Sequence, residues 1–279
     1  MSAILALLSS LLFGFSDYIG GHLTKKHNVV AVVGISQVIG FVVGAVLLLG
    51  TGTWIAPTLN WNGYFLPGLA AGVIGFVGLN ALFAGLATGK MGVVSPIASL
   101  SVVVPLLYAI ANGERPSGVA VWGMVIAVLG AFFGSGPDLK DGLSPKPIIL
   151  AVITAICFGT SILFLTFGSQ ENVLMTAVTM RLPNLLIMAF LAIRFRTLGK
   201  LGRSSFGLLL IGGSFDFLAN ITVGQASTMG LVSVAVVLAS LYPVITTFLA
   251  FKFSHERLHK LQYLGGILAI AGVCLISLG

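Results

Sequence analysis

One stretch of this chain occurs twice, and that repetition limits the folds open to it more than any other feature. Lys90 to Pro105 reads KMGVVSPIASLSVVVP and Thr228 to Pro243 reads TMGLVSVAVVLASLYP. Met91, Gly92, Val94, Ser95 and Pro105 return as Met229, Gly230, Val232, Ser233 and Pro243, each 138 positions later. A register held over that distance, closed both times by a helix-disturbing proline, indicates duplication of a unit of about 140 residues.

Both copies lie in long apolar segments. Of the 279 residues 57% are hydrophobic and only 8% charged, against about 25% charged in soluble domains, so a water-soluble fold would lack the polar surface it needs. Taking apolar runs of about 20 residues as spans gives ten. They run from Ser2 to His22, Val29 to Leu49, Gly63 to Ala87, Met91 to Ala111, Gly118 to Gly134, Pro147 to Gly168, Val173 to Ile193, Ser205 to Gln225, Leu231 to Phe251 and Leu261 to Leu278. The longest interruption, 135–146, is the linker between a first five-helix repeat, 1–134, and a second, 147–279. Phe13-Gly14 of span one matches Phe158-Gly159 of span six, and Glu114-Arg115 before span five matches Glu256-Arg257 before span ten. Five is odd, so the copies must enter the bilayer from opposite sides. The expected fold is an all-α membrane protein of ten transmembrane helices in two inverted five-helix repeats, an architecture suited to alternating access.

The net charge of +7 speaks of topology and lipid headgroups, since the basic residues are scattered over short loops and form no nucleic-acid surface. Loops after odd-numbered spans hold twelve Lys and Arg, whereas loops after even-numbered spans hold only Arg115. The positive-inside rule puts the odd loops in the cytoplasm and both termini outside. Span one has no basic leader and no small-residue cleavage signal, and is expected to be a retained helix. Cys157 and Cys274 sit in apolar runs and suggest neither a disulfide nor a metal site.

Three charged residues lie clearly within spans: Asp17, Arg181 and Asp216. Charge in hydrocarbon must face protein or a water-filled path. A salt bridge between Arg181 and an aspartate is one reading; a substrate carboxylate on Arg181, with Asp216 or Asp17 as proton site, is the other. Asp216 and Asn220 share a helix face at i and i+4, and Asn80 of span three aligns with Asn220, which puts an amide at matching depth in each half. Pro105 and Pro243 each remove a helical donor and can free a carbonyl at a cavity, as a gate or a fixed kink. Phe13, Phe76 and Tyr242 are candidate walls.

The chain carries no P-loop, dinucleotide fingerprint or GxSxG. His255-Glu256-Arg257-Leu258-His259 does match HExxH. A zinc site is nevertheless not expected, because Glu256 is the repeat partner of Glu114, which has no histidines around it. No metal, cofactor or enzymatic activity is expected.

Taken together, Phe13-Gly14 and its repeat, the MGVVSPIASLSVVVP segment, the second copy ending SLYPVITTFLA, and the GER and HER signatures before glycine-spaced closing spans resemble the drug/metabolite transporter superfamily, specifically ten-span proteins with two EamA-type repeats. The resemblance covers essentially the whole chain. It implies an inner-membrane exporter or exchanger of small metabolites, often amino acids or related compounds; the chain is expected to act as a monomer or homodimer. It also implies a central cavity within spans one to four and six to nine, with spans five and ten peripheral. Carried over by position, the wall includes Asn80, Pro105, Arg181, Asp216, Asn220 and Tyr242. The basic bias departs from the many members with cytoplasmic termini, and Arg181 and Asp216 are not shared motif residues. The competing reading is a membrane-embedded scaffold or receptor, in which the polar span residues are interhelical glue. A solid interior favours that reading, and a midplane cavity lined by Asn80, Arg181, Asp216 and Asn220 favours transport.

Overall fold

The computed structural model describes residues 1–88, 94, 97–134, 145–195, 203–254 and 260–278. Parts of the duplicated segment, most of the linker and His255 to His259 lie outside the described residues. Helices among the described residues are α1 (Ser2–Thr24), α2 (Val29–Thr51), α3 (Phe65–Thr88), α4 (Val103–Ala111), α5 (Gly118–Gly134), α6 (Pro145–Ser169), α7 (Val173–Thr179), α8 (Leu182–Phe195), α9 (Arg203–Thr228), α10 (Val232–Ala239), α11 (Tyr242–Ser254) and α12 (Lys260–Leu278), with a 3₁₀ turn at Leu100–Val102 ahead of α4. Seven stretches are long and apolar enough to cross a membrane, counting Val173–Phe190 and Val232–Phe253 as one each. The apolar helices Ile97–Ala111, Gly118–Gly134 and Lys260–Ile276 are shorter. Seven of the ten expected runs thus reach span length among the described residues. Val46, Leu186, Phe190, Ile267 and Ile270 are exposed, as residues of lipid-facing helix surfaces are.

Local chemistry sets the helix ends. Asn28 caps α2 through Val30 and Ala31 amides, at 2.9 and 3.3 Å, and Gly52 closes it at φ +64°. The expected spans seven and nine are each two helices, broken at Met180-Arg181 and Ser240-Leu241. Proline explains both: Pro183 and Pro243 cannot donate to the carbonyls of Thr179 and Ala239 four residues earlier. Pro105 likewise leaves the Ser101 carbonyl without its helical donor, and the 3₁₀ turn sits there. The Leu100–Val102 turn and the break at Ser240 thus occupy equivalent places in the two copies of the duplicated segment.

The repeated Phe-Gly pair has one task in both halves. Gly159 of α6 lies against the Ser101 carbonyl and Val104, and Gly14 of α1 lies against the Tyr242 carbonyl and Ile245. Val104 and Tyr242 are equivalent positions in the duplicated segment, so each glycine lets a helix of one half touch the kinked span of the other. The closing helices α5 and α12 pack chiefly on one another, with Gly130 against Ala269 and Gly265 against Gly134.

Two carboxylates tie the halves together at helix starts. The Asn112-Gly113 turn, with Gly113 at φ +97°, brings Glu114 beneath α10, where it accepts from the amides of Val232 at 2.8 Å and Ser233 at 3.0 Å. Glu171 accepts from the Tyr64 amide at 2.6 Å at the start of α3. Anions at helix N-termini satisfy orphan donors and complement the helix dipole. Glu114→Ala is expected to lower stability by about 1–3 kcal/mol, read as a lower melting temperature in detergent. Glu114→Gln, which keeps one acceptor, should lose about half as much.

Candidate functional site

The helix breaks converge on one cavity. It holds about 70 Å³ and is lined by residues of α1, α2, α3, the 3₁₀ turn, α4, α6 and α8 to α11, with Met180, Arg181 and Ser240 of the two breaks, so helices of both halves build it. That volume accommodates several waters. Most of the wall is apolar, including Phe13, Leu79, Val102, Phe158, Ile162 and Val236.

A polar network occupies one side. Arg181, at the break between α7 and α8, is 2% exposed. Its Nη2 donates to Asp216 Oδ2 at 2.8 Å, and its Nη1 to Gln37 Oε1 at 2.9 Å. Asn184 Nδ2 donates to the same Gln37 oxygen at 2.9 Å, and Gln37 Nε2 reaches back to Asp216 Oδ2 at 3.4 Å. The guanidinium also sits 5.6 Å from the Phe217 ring centroid. Gln37 is therefore the hub between α2, the α7–α8 break and α9, and its amide supplies both an acceptor and a donor. An unpaired guanidinium at this depth is costly, and the ion pair within this set of amides offsets that cost.

Of the residues singled out from sequence, Asp17, Pro105, Arg181, Asp216, Asn220 and Tyr242 all line this cavity. Asn80 does not. Its amide donates to the Phe76 carbonyl of its own helix at 2.8 Å, as Asn220 donates to the Asp216 carbonyl at 2.7 Å. The two aligned amides thus make the same local bond, but only Asn220 is among the residues lining the cavity. Pro243 flanks a smaller recess beside Asp17 and Thr246. Of the candidate wall aromatics, Phe13 and Tyr242 pack edge to face at 6.1 Å. The third aromatic is Phe158 in place of Phe76, which packs in the apolar cluster around Leu82 and Phe83.

Gln37 and Asn184 were not singled out from sequence. The signal for them was present: Gln37 is a lone amide inside an uncharged span, and Asn184 follows Pro183, three residues after Arg181. The Asn184 Oδ1 and Tyr242 Oη atoms are buried without a hydrogen-bond partner. Such unmet groups cluster where a ligand or water belongs. No group of three His, Cys, Asp or Glu side chains that could hold a metal occurs among the described residues.

Beyond the cavity, Trp61, Asn62, Tyr108, Phe164, Phe167 and Gln170 line an open vestibule of about 700 Å³. Tyr108 meets Phe167 at 5.0 Å, and Phe164 meets Trp61 at 5.8 Å and Phe167 at 6.0 Å. Tyr108 is one turn past Pro105 on α4, and Phe164 and Phe167 lie one to two turns past Ser161 on α6, so the vestibule and the cavity are lined by two shared helices.

Residues 1–135 and 145–278 each match the model of the EamA-like transporter family. A solved structure described only as "Crystal structure of protein" is 18% identical, with a TM-score of 0.74 over 97% of this chain and 98% of that one. At that identity the likeness is one of fold. No curated protein matches the chain.

Proposed function

The chain belongs to the EamA-like transporter family, and on that premise we propose that it is a secondary transporter that exports small metabolites by alternating access around the cavity between its halves. The observation that carries this reading is the meeting of three helix breaks and one buried polar network at a single cavity. Discontinuous helices at a repeat interface are where transporters hold substrate. Amino acids, the substrates implied by the resemblance, carry a polar head for the network and a side chain for the Phe13 and Phe158 wall. A scaffold has no use for a cavity whose buried acceptors are left open.

The proposed architecture has all ten helices crossing the membrane, five per half, as an inverted pair. The three shorter helices fit this arrangement through local thinning of the bilayer and snorkelling of flanking residues. The plasma membrane is the proposed location, with odd-numbered loops cytoplasmic and both termini outside. In a Cys157→Ser, Cys274→Ser background, Lys26→Cys is expected to resist an impermeant thiol reagent in intact cells and to react in inverted vesicles; labelling from outside would overturn this orientation.

Coupling to protons through Asp17 or Asp216 completes the proposal. Export is tested by flux of a metabolite panel in proteoliposomes with and without a proton gradient. Asp216→Asn and Arg181→Gln are each expected to cut flux at least tenfold, and unchanged flux in both sinks the site assignment.

A further inference from the structure

We propose that the occupant of the cavity is a small monovalent organic cation, an alkylammonium without a carboxylate, held by Asp17 in exchange for a proton. The inference rests on the transporter reading and departs from it on the substrate, replacing amino acids by amines that lack the carboxylate.

The first argument is charge balance. The charged residues lining the cavity are Asp17, Arg181 and Asp216. Arg181 and Asp216 cancel one another at 2.8 Å. Both terminal guanidinium nitrogens are turned to protein acceptors, and the Nε, buried beside Gly40 of α2, has no hydrogen-bond partner. A substrate carboxylate would have to displace Gln37 or Asp216 to pair with the two terminal nitrogens. Asp17 has no ion pair or hydrogen bond with any described residue. With Asp17 ionised the cavity would carry one negative charge in excess, and a carboxylate among these largely apolar walls either takes a proton or finds a cation.

The second argument is the open valences. Asn184 is 2% exposed and Tyr242 8% exposed, and both line the cavity; the Asn184 Oδ1 has no hydrogen-bond partner, and the Tyr242 Oη, beside the Ser101 side chain, keeps a lone pair open to a donor. An ammonium brings three donors and no acceptor, which suits Asp17 together with these two oxygens. An anion could take the Tyr242 hydroxyl as a donor, but it would meet the Asp17 carboxylate and leave the Asn184 Oδ1 without a donor.

The third is the surroundings. The faces of Phe13, Phe158 and Tyr242 attract cations, and the apolar remainder of the wall suits an alkyl tail. The aromatic vestibule of Trp61, Tyr108, Phe164 and Phe167 has no charged residue in its lining, so it presents ring faces to an arriving cation.

The exchange balances simply. The neutral Asp17 carboxyl releases its proton to water as the ammonium arrives, and the ion pair replaces the O–H bond; on the other side of the membrane the steps reverse. The titratable groups around Asp17 are few. Asp216 faces it from α9, with Arg181 behind, and Tyr242 from α11. Lys252 lies at the far end of α11, over the Phe253 ring, and α2, α3 and α10 carry no titratable side chain. On α1 itself, His22 packs on Tyr18.

The test is equilibrium binding to the purified full-length protein in detergent, by titration calorimetry, of isobutylamine, valine and isovalerate. These share one alkyl tail and differ in charge. At pH 8 isobutylamine is expected to bind at least tenfold more tightly than either carboxylate. As pH falls its apparent Kd should rise, approaching tenfold per pH unit. Asp17→Asn should abolish that pH dependence and weaken amine binding at least tenfold, while Asp17→Glu keeps both. Valine or isovalerate binding as tightly as the amine, no amine binding, or an Asp17→Asn protein with unchanged affinity and pH slope overturns the proposal. The transporter reading is judged apart from it. Proteoliposome flux of valine that is lost in Arg181→Gln would sustain transport while sinking the cation assignment.

Discussion

Arg181→Gln is expected to destabilise the protein by about 3–5 kcal/mol, because it leaves the Asp216 carboxylate without its counter-ion in a largely buried setting. Asp216 is 17% exposed and Arg181 2%, so water can soften the loss at the aspartate but not at the guanidinium. Asp216→Asn alone strands the more deeply buried charge and should cost at least as much. The double variant Arg181→Gln, Asp216→Asn removes both charges and replaces them with amides that can bond to Gln37, and is expected to recover most of the lost stability. Thermal unfolding of the four proteins in detergent gives the coupling directly. Full additivity of the two single losses would show that the pair is not the unit drawn here. Flux separates structure from function: the double variant should remain at least tenfold below wild type, since the network that shapes the cavity is gone although the fold is restored.

Much of this arrangement was legible in the sequence, for reasons tied to particular residues. Arg181 and Asp216 could be expected to meet because charge inside an apolar run has few places to go. The breaks at Met180-Arg181 and Ser240-Leu241 follow from Pro183 and Pro243, whose lost donors are a local matter. What sequence obscured was whatever depends on neutral groups or on distant chain. Gln37 carries no charge to draw notice, yet it joins Arg181, Asn184 and Asp216. Asn80 aligned with Asn220, but an asparagine can satisfy itself on the carbonyl four residues back, and alignment does not say which of two such amides reaches the cavity. Glu114 was visible as a repeated signature, whereas its bonds to Val232 and Ser233 lie 118 and 119 residues away and join the two halves. The family's fold follows from the matched repeats; the identity of the cavity's hub does not.

The other large effect is expected at Gly159, where the Phe-Gly pair of the second half meets the kink of the first. A Cβ there would collide with the Ser101 carbonyl and come within 2.8 Å of the Val104 side chain. The carbonyl belongs to a 3₁₀ turn fixed by Pro105 and cannot rotate aside, so α6 must retreat or the turn must shift. At Gly14 the closest atoms are the Cβ and Cγ2 of Ile245, and the Tyr242 carbonyl stands back at 3.0 Å, so α11 must shift but no backbone carbonyl is struck as at Gly159. Gly159→Ala is therefore expected to cost more than Gly14→Ala, in the range of about 1–3 kcal/mol for overpacking, with Gly159→Val beyond that. The same asymmetry should appear in flux. Moving α6 displaces Phe158 and Ser161 from the cavity wall, so Gly159→Ala should cut transport at least tenfold while Gly14→Ala retains a larger share. Unfolding curves and proteoliposome flux for the two alanine variants decide it. If Gly159→Ala matches wild type in both, the close approach of α6 to the Ser101 turn is not what shapes the cavity, and the two Phe-Gly pairs need another account.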